Sequence, residues 1–283
     1  MAKIRVKKTD FERALKIMKR EALIGGKKVA QGHSCVFQSS IPTANRLIAT
    51  SLVKDGVSGW TEVFLDLLEP AATTCCIVVA NIDYTLNVLK MHGDILTLEQ
   101  DQQKLRIKSQ KKQTTLSANL KANAFPNSQK TIEQWEKQSV EIRNKLVLWL
   151  HELGASYHTG SGDKLESKYA MTVDPFAIKD AIETVRVNGQ IVANCHMVVG
   201  DQPSLTFAGG DESKGGWSIT QIIEPTQPGE LAKYEVAGGL ENIVTMLGKE
   251  VNLFVIEWQS KGEGLLIISG ENGHAVRRVA CVE

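Results

Sequence analysis

The sequence predicts an α+β protein of two domains, each a pair of helix-plus-antiparallel-strand units. Three observations carry this reading. The run from Asn81 to Asn127 holds a short helix and then three strands with period-two alternation. In DILTLEQ, Leu96 and Leu98 share a face. In KLRIKSQ, Leu105 and Ile107 oppose Lys104, Arg106 and Lys108; in QTTLSANL, Leu116, Ala118 and Leu120 oppose Thr115, Ser117 and Asn119. Such alternation marks an antiparallel sheet with one buried and one wet face. The same helix-then-strands pattern recurs four times, at a spacing of roughly 65 to 90 residues. Finally, 283 residues with 42% hydrophobic content can build two ordinary cores.

The first helix is expected from about Asp10 to Leu23. Thr9 and Glu12 form a capping box at its start, and Gly25 and Gly26 end it; SCVFQS, RLIATSLV and TEVFLDLLEP follow as strands. The second helix is ANIDYTLNVLKMHG, ahead of the three strands above. The third has Asp174 as N-cap and Pro175 at its first position and runs to about Val187, before IVANCHMVVG, SLTFAG and WSITQIIEP. The fourth is short, about Gly239 to Leu247, and precedes VNLFVIEWQ, GLLIISGE and AVRRVACVE. Domain boundaries follow at 1–127 and 171–283, with 128–170 as a connector. A long helix is predicted there over 131–153. It has Ile132, Trp135, Ile142, Leu146, Trp149 and Leu153 at heptad a and d positions and Ser139 as the exception, which suits packing on a domain or a partner helix. HTGSGDKLESK reads as a loop.

Net charge is only +1, from 33 basic and 32 acidic residues, but the charges are unevenly placed. Residues 1–28 hold ten basic side chains against three acids, and 104–121 hold six against none; from Glu224 onward, nine acids face five bases. That asymmetry suggests one surface facing a polyanion. At 100° per residue, Phe11, Ala14, Leu15, Met18 and Ala22 fall on one arc of the first helix, with Arg13, Lys16 and Arg20 opposite. Lys90 lies at the flank of the second helix. Lys179 and Arg186 flank the Ile178, Ile182 and Val185 face of the third, and Lys249 follows the fourth. A solvated basic face is the competing reading for each.

Cys35, Cys75, Cys76, Cys195 and Cys281 have no metal-type spacing, and neighbouring Cys75 and Cys76 point to opposite faces of a strand. They read as small buried residues in a reducing compartment. No stretch reaches the roughly 20 apolar residues of a membrane span, and MAKIRVKKTD has the charge but not the apolar core of a secretory signal. A cytoplasmic protein is therefore expected. The six histidines lack HExxH spacing, no phosphate loop or GxSxG is present, and GGDESKGG reads as a hairpin loop. No metal, cofactor or catalytic residue is expected.

Two segments resemble the DNA sliding clamps, the ring-shaped processivity factors of replicative polymerases. PAATTCCIVVANIDYTLNVLKMHGDILTLEQDQQKLRIKSQKKQTTLSANLKANAFPN is similar to the second half of the first domain of bacterial polymerase III beta subunits. The run from YEVAGGLENIVTML through VNLFVIEWQSKGEGLLIISG to AVRRVACVE resembles the end of proliferating cell nuclear antigen. The resemblance implies two clamp-type domains that assemble into a closed ring of six, hence a homotrimer, with helices lining the hole. It implies duplex DNA, a DNA polymerase and a clamp loader as partners, a nucleoid-associated location and no enzymatic activity. Subunits would join with QTTLSANL of one copy beside WSITQIIEP of the next. DNA contacts would be Arg13, Lys16 and Arg20, with Lys90, Lys179, Arg186 and Lys249 as lesser ones. A partner-peptide pocket maps to Ile41, Leu47, Val279 and Cys281, which would serve equally as core. The 131–153 helix departs from the family pattern. The two-domain layout with bacterial-like residues points to a viral, bacteriophage source. Two other functions stay open on the residues alone: a DNA-binding scaffold that never closes, and an enzyme with a dispersed carboxylate site.

Overall fold

The computed structural model of the chain describes residues 2–21, 35–38, 45–52, 59–71, 75–101, 103–118, 157–158, 164–165, 167–185, 194–198, 205–209, 219–223, 234–237, 240, 243–258 and 263–281. The chain divides into two compact units, Met1–Lys54 with Thr61–Val140, and Asp55–Trp60 with Glu141–Glu283. The predicted 131–153 helix, Arg186 and Ile41 lie outside the described residues.

In the first unit, β1 (Ala2–Lys7), α1 (Lys8–Glu21), β2 (Cys35–Gln38), β3 (Arg46–Leu52) and β4 (Gly59–Asp66) are followed by β5 (Cys76–Val79), α2 (Ile82–Leu89), β6 (Ile95–Gln100), β7 (Lys104–Ser109) and β8 (Lys112–Ser117). Each half is a strand, a helix and three strands. The leading strands are exchanged. β1 pairs antiparallel with β6, from Ala2 opposite Gln100 to Lys7 opposite Ile95, giving the order β1-β6-β7-β8. β5 pairs with β2, giving β5-β2-β3-β4. Exchange lets each half bury the alternating apolar face of the other: Ile4 and Val6 of β1 point inward with Leu96, Leu98, Leu105 and Ile107. Phe11 of α1 and Phe37 of β2 meet edge to face, with centroids 5.9 Å apart at 61°. Leu15, Ile17, Leu47, Leu65, Ile77 and Ile82 are buried in the same core.

The second unit follows the same rule. β11 (Ser167–Val173) leads α3 (Pro175–Val185) but pairs with β16 (Val251–Trp258). β15 (Tyr234–Ala237) leads α4 (Val244–Leu247) but pairs with β12 (Asn194–Val198). With β13 (Leu205–Gly209), β14 (Ile219–Ile223), β17 (Glu263–Gly270) and β18 (Gly273–Cys281), the strands order as β14-β13-β12-β15-β18-β17-β16-β11.

Three local expectations are corrected. α1 starts at Lys8, so Thr9 is inside the first turn rather than capping it. β1 feeds the helix directly, the Lys8 amide donates to Asp94 O at 2.8 Å, and Glu12 faces the Lys8 ammonium at 3.9 Å. The leading strands β1, β11 and β15 were not expected as strands. HTGSGDKLESK is not all loop: Tyr157–His158 (β9) and Lys164–Leu165 (β10) form a small ladder, and β11 begins at Ser167. The expected cap of α3 is present, with the Phe176 amide donating to Asp174 Oδ1 at 2.9 Å.

The α4 end is held tightly against the β17–β18 turn. The Asn272 amide donates to Leu247 O at 2.7 Å, and its Nδ2 donates to Met246 O at 3.0 Å. A Cβ on Gly270 would collide with the Leu247 carbonyl, lying 2.6 Å from its carbon. Gly270→Ala is therefore expected to cost about 1–3 kcal/mol of stability. A denaturation midpoint equal to that of the parent chain would contradict this packing.

Candidate nucleic-acid interface

α1 presents two sides because its apolar residues recur at helical spacing. Phe11, Ala14, Leu15, Ile17 and Met18 are buried, whereas Lys16 and Arg20 are exposed. Arg13 is half-buried and shares its charge with Asp10, 3.3 Å away on the same helix. Lys16 has no acidic partner among the described residues. α2 packs beside α1, and Lys19 bridges to Asp83 at 2.5 Å. Ile82, Thr85, Val88 and Leu89 of α2 are buried; Tyr84, Asn87 and Lys90 are exposed, and Lys90 Nζ donates to Asn87 Oδ1 at 3.1 Å. Asn81 caps this helix, accepting from the Tyr84 amide at 2.9 Å.

His92 fixes the C-terminal end of α2 against β7 and β8. It is 5% exposed, with Nδ1 2.9 Å from Ser109 Oγ and Nε2 2.9 Å from Thr114 Oγ1. The Gly93 amide also donates to Ser109 Oγ, at 3.1 Å. Lys8 and Lys112 crowd the same turn, donating to His92 O at 3.1 Å and Met91 O at 2.8 Å. Burial holds the imidazole below its ordinary protonation range, and the two ammonium groups add to this. A lowered value means the unfolded chain takes up this proton first. The contribution is then full above about pH 6.5 and is lost as pH falls towards the folded value. His92→Gln should be less stable than the parent at pH 8, with the gap in urea midpoint narrowing towards pH 5.5. A gap that is constant with pH would contradict it.

Among the described residues of the second unit's helices the cations are more thinly spread. On α3, Ile178, Ala181 and Ile182 are buried and Asp180 and Glu183 exposed; Lys179 pairs with Glu183 at 3.2 Å. Lys249 is exposed just after α4. Of the expected pocket residues, Leu47 is fully buried in β3, and Val279 and Cys281 belong to β18. Cys35 and Cys75 are buried and unbridged, and burial pushes the Cys35 thiol far up. Among the described residues no helix is long and apolar enough to cross a membrane, and no three His, Cys, Asp or Glu side chains converge.

A further basic surface was only half expected from the sequence, through the wet face of KLRIKSQ. Lys3, Arg5 and Lys7 alternate with buried Ile4 and Val6 and stand on the solvent face of the β1-β6-β7-β8 sheet, beside Lys104, Arg106 and Lys108. The period-two pattern in AKIRVK was the available signal. The N-terminal run of positive charge is thus split between a helix and a sheet.

No family model matches the sequence, and no curated protein matches it. Solved structures do. The chain superposes on the beta subunit of DNA polymerase III from Thermotoga maritima with a TM-score of 0.61 at 12% identity, over 100% of this chain and 65% of that one. The DNA polymerase sliding clamp from Bacillus subtilis gives 0.61 at 10% identity, over 100% and 65%. Proliferating cellular nuclear antigen from Entamoeba histolytica gives 0.59 at 10% identity, over 100% and 99%. The chain thus spans about two thirds of the length of the bacterial proteins and nearly all of the Entamoeba one. Together with the four-fold exchanged-strand pattern, these matches establish that the chain has the fold of the DNA sliding clamps.

Proposed function

We propose that the protein is a DNA polymerase processivity factor that closes into a ring around duplex DNA and tethers a polymerase without catalysing a reaction. The observation that carries this is the match, end to end, with a proliferating cellular nuclear antigen, with two exchanged-strand units in one chain. Two units per chain favour three copies in a six-domain ring. The joint would set β8 of one copy beside β14 of the next. Among the described residues β8 pairs only with β7 and β14 only with β13, so each has an edge free for a further strand.

In this reading the α1 and α2 faces line the hole. Arg13, Lys16 and Arg20 are the main phosphate contacts, and Lys90, Lys179, Arg186 and Lys249 are lesser ones. Such contacts are independent of sequence and weaken with salt. A sparse set suffices, because a closed ring cannot leave the duplex sideways. A clamp loader and a polymerase are the protein partners. Light scattering on the purified chain at micromolar concentration should give three times the 31.1 kDa chain mass. A stable monomer would overturn the ring and leave an open DNA-binding scaffold.

A further inference from the structure

We infer that the solvent face of the β1-β6-β7-β8 sheet is a docking surface for an extended acidic peptide segment of a partner protein. This does not rest on ring closure or on DNA passing the helices. Two rungs cross the sheet: Lys3, Glu99, Arg106 and Thr115 stand opposite one another in turn, as do Arg5, Thr97, Lys108 and Gln113. Three of the six cations are already answered, Lys108 by Glu99 at 2.6 Å, Arg106 by Asp101 at 2.8 Å and Arg5 by Glu69. Lys3, Lys7 and Lys104 are exposed and have no ion pair among the described residues. An open groove of about 640 Å³ covers part of this face, with Lys3, Arg5, Lys108 and Ile95 in its lining together with two acids, Asp94 and the Lys108-paired Glu99, while Lys7 stands beside Ile95 at its edge. Ile95, 50% exposed and opposite Lys7, supplies an apolar spot beside the charges.

The free ammonium groups of Lys3 and Lys7 sit on one face of one strand, about 13 Å apart. An extended peptide repeats its side chains at the same interval. Two of its carboxylates four residues apart would meet both lysines, and an aliphatic side chain between them would reach Ile95. Single-stranded nucleic acid fits less well. Such binders add aromatic stacking platforms to a basic groove, and β1, β6, β7 and β8 contain no aromatic residue.

The test uses the full chain and a short fluorescein-labelled peptide with two glutamates four residues apart and a leucine between them. Fluorescence anisotropy at low salt should show binding that Lys3→Glu with Lys7→Glu weakens about tenfold or more. Lys16→Glu with Arg20→Glu, on the helix face, should leave it unchanged. A peptide with glutamines in place of the glutamates should not bind. The inference is overturned by no peptide binding, by equal loss in both variants, or by an oligothymidylate of equal length that binds this face more tightly than the peptide.

Discussion

The triple variant Arg13→Ala, Lys16→Ala, Arg20→Ala is expected to lose most of its hold on duplex DNA while keeping its oligomeric mass. Each phosphate contact removed should make the slope of log affinity against log salt shallower by about 0.9, and a ring would lose each contact in every copy. At low salt we expect retention to fall about tenfold or more, equally across DNA sequences. Lys16 should carry the largest share of this loss, because it has no acidic partner among the described residues whereas Asp10 shares the charge of Arg13. Stability should change by only about 0.5 kcal/mol or less per exposed position. Unchanged DNA retention and an unchanged salt slope would remove the DNA-facing role of α1.

The largest effect on stability should come from Phe11→Ala. Phe11 is fully buried and packs against Phe37, so truncation removes the anchor that seats α1 on the sheet. Deleting a buried phenyl ring costs about 3–5 kcal/mol. The first unit should then unfold at markedly lower urea, and two transitions would appear if the second unit holds. The loss should extend to DNA binding, since Lys16 and Arg20 ride on the same helix. A loss below about 1 kcal/mol would mean that α1 is not seated as described.

Most strands were legible because one face of each is buried, and burial imposes period two. β6, β7 and β8 alternate as the sequence pattern requires: Leu96, Leu98, Leu105, Ile107 and Leu116 are all buried. The cap of α3 rests on Asp174, which acts through its own turn and is therefore readable locally; the like cap of α2 by Asn81 was read instead as part of the helix. The leading strands were harder to see. β1 is completed by β6, so Ala2 meets a partner at Gln100 that no local window contains. Three outward cations also masked its two inward residues, Ile4 and Val6.

The site was legible in outline. The helical period located exposed Lys16, Arg20 and Lys90. The i,i+3 spacing of Asp10 and Arg13 also signals their pairing, which the sequence reading left out. The same helical period puts Asp180 and Glu183 on the exposed side of α3, where Lys179 meets Glu183. Of the sheet-face cations, period two placed Lys104, Arg106 and Lys108 on the wet side of β7, whereas Lys3, Arg5 and Lys7 belong to a strand completed only by distant β6.

Electron microscopy of negatively stained particles at micromolar concentration would settle the proposal of encirclement most directly. Class averages should show a closed, near-six-fold ring with a stain-filled hole wide enough to pass a DNA duplex. Particles without a central opening, or single elongated chains, would contradict it.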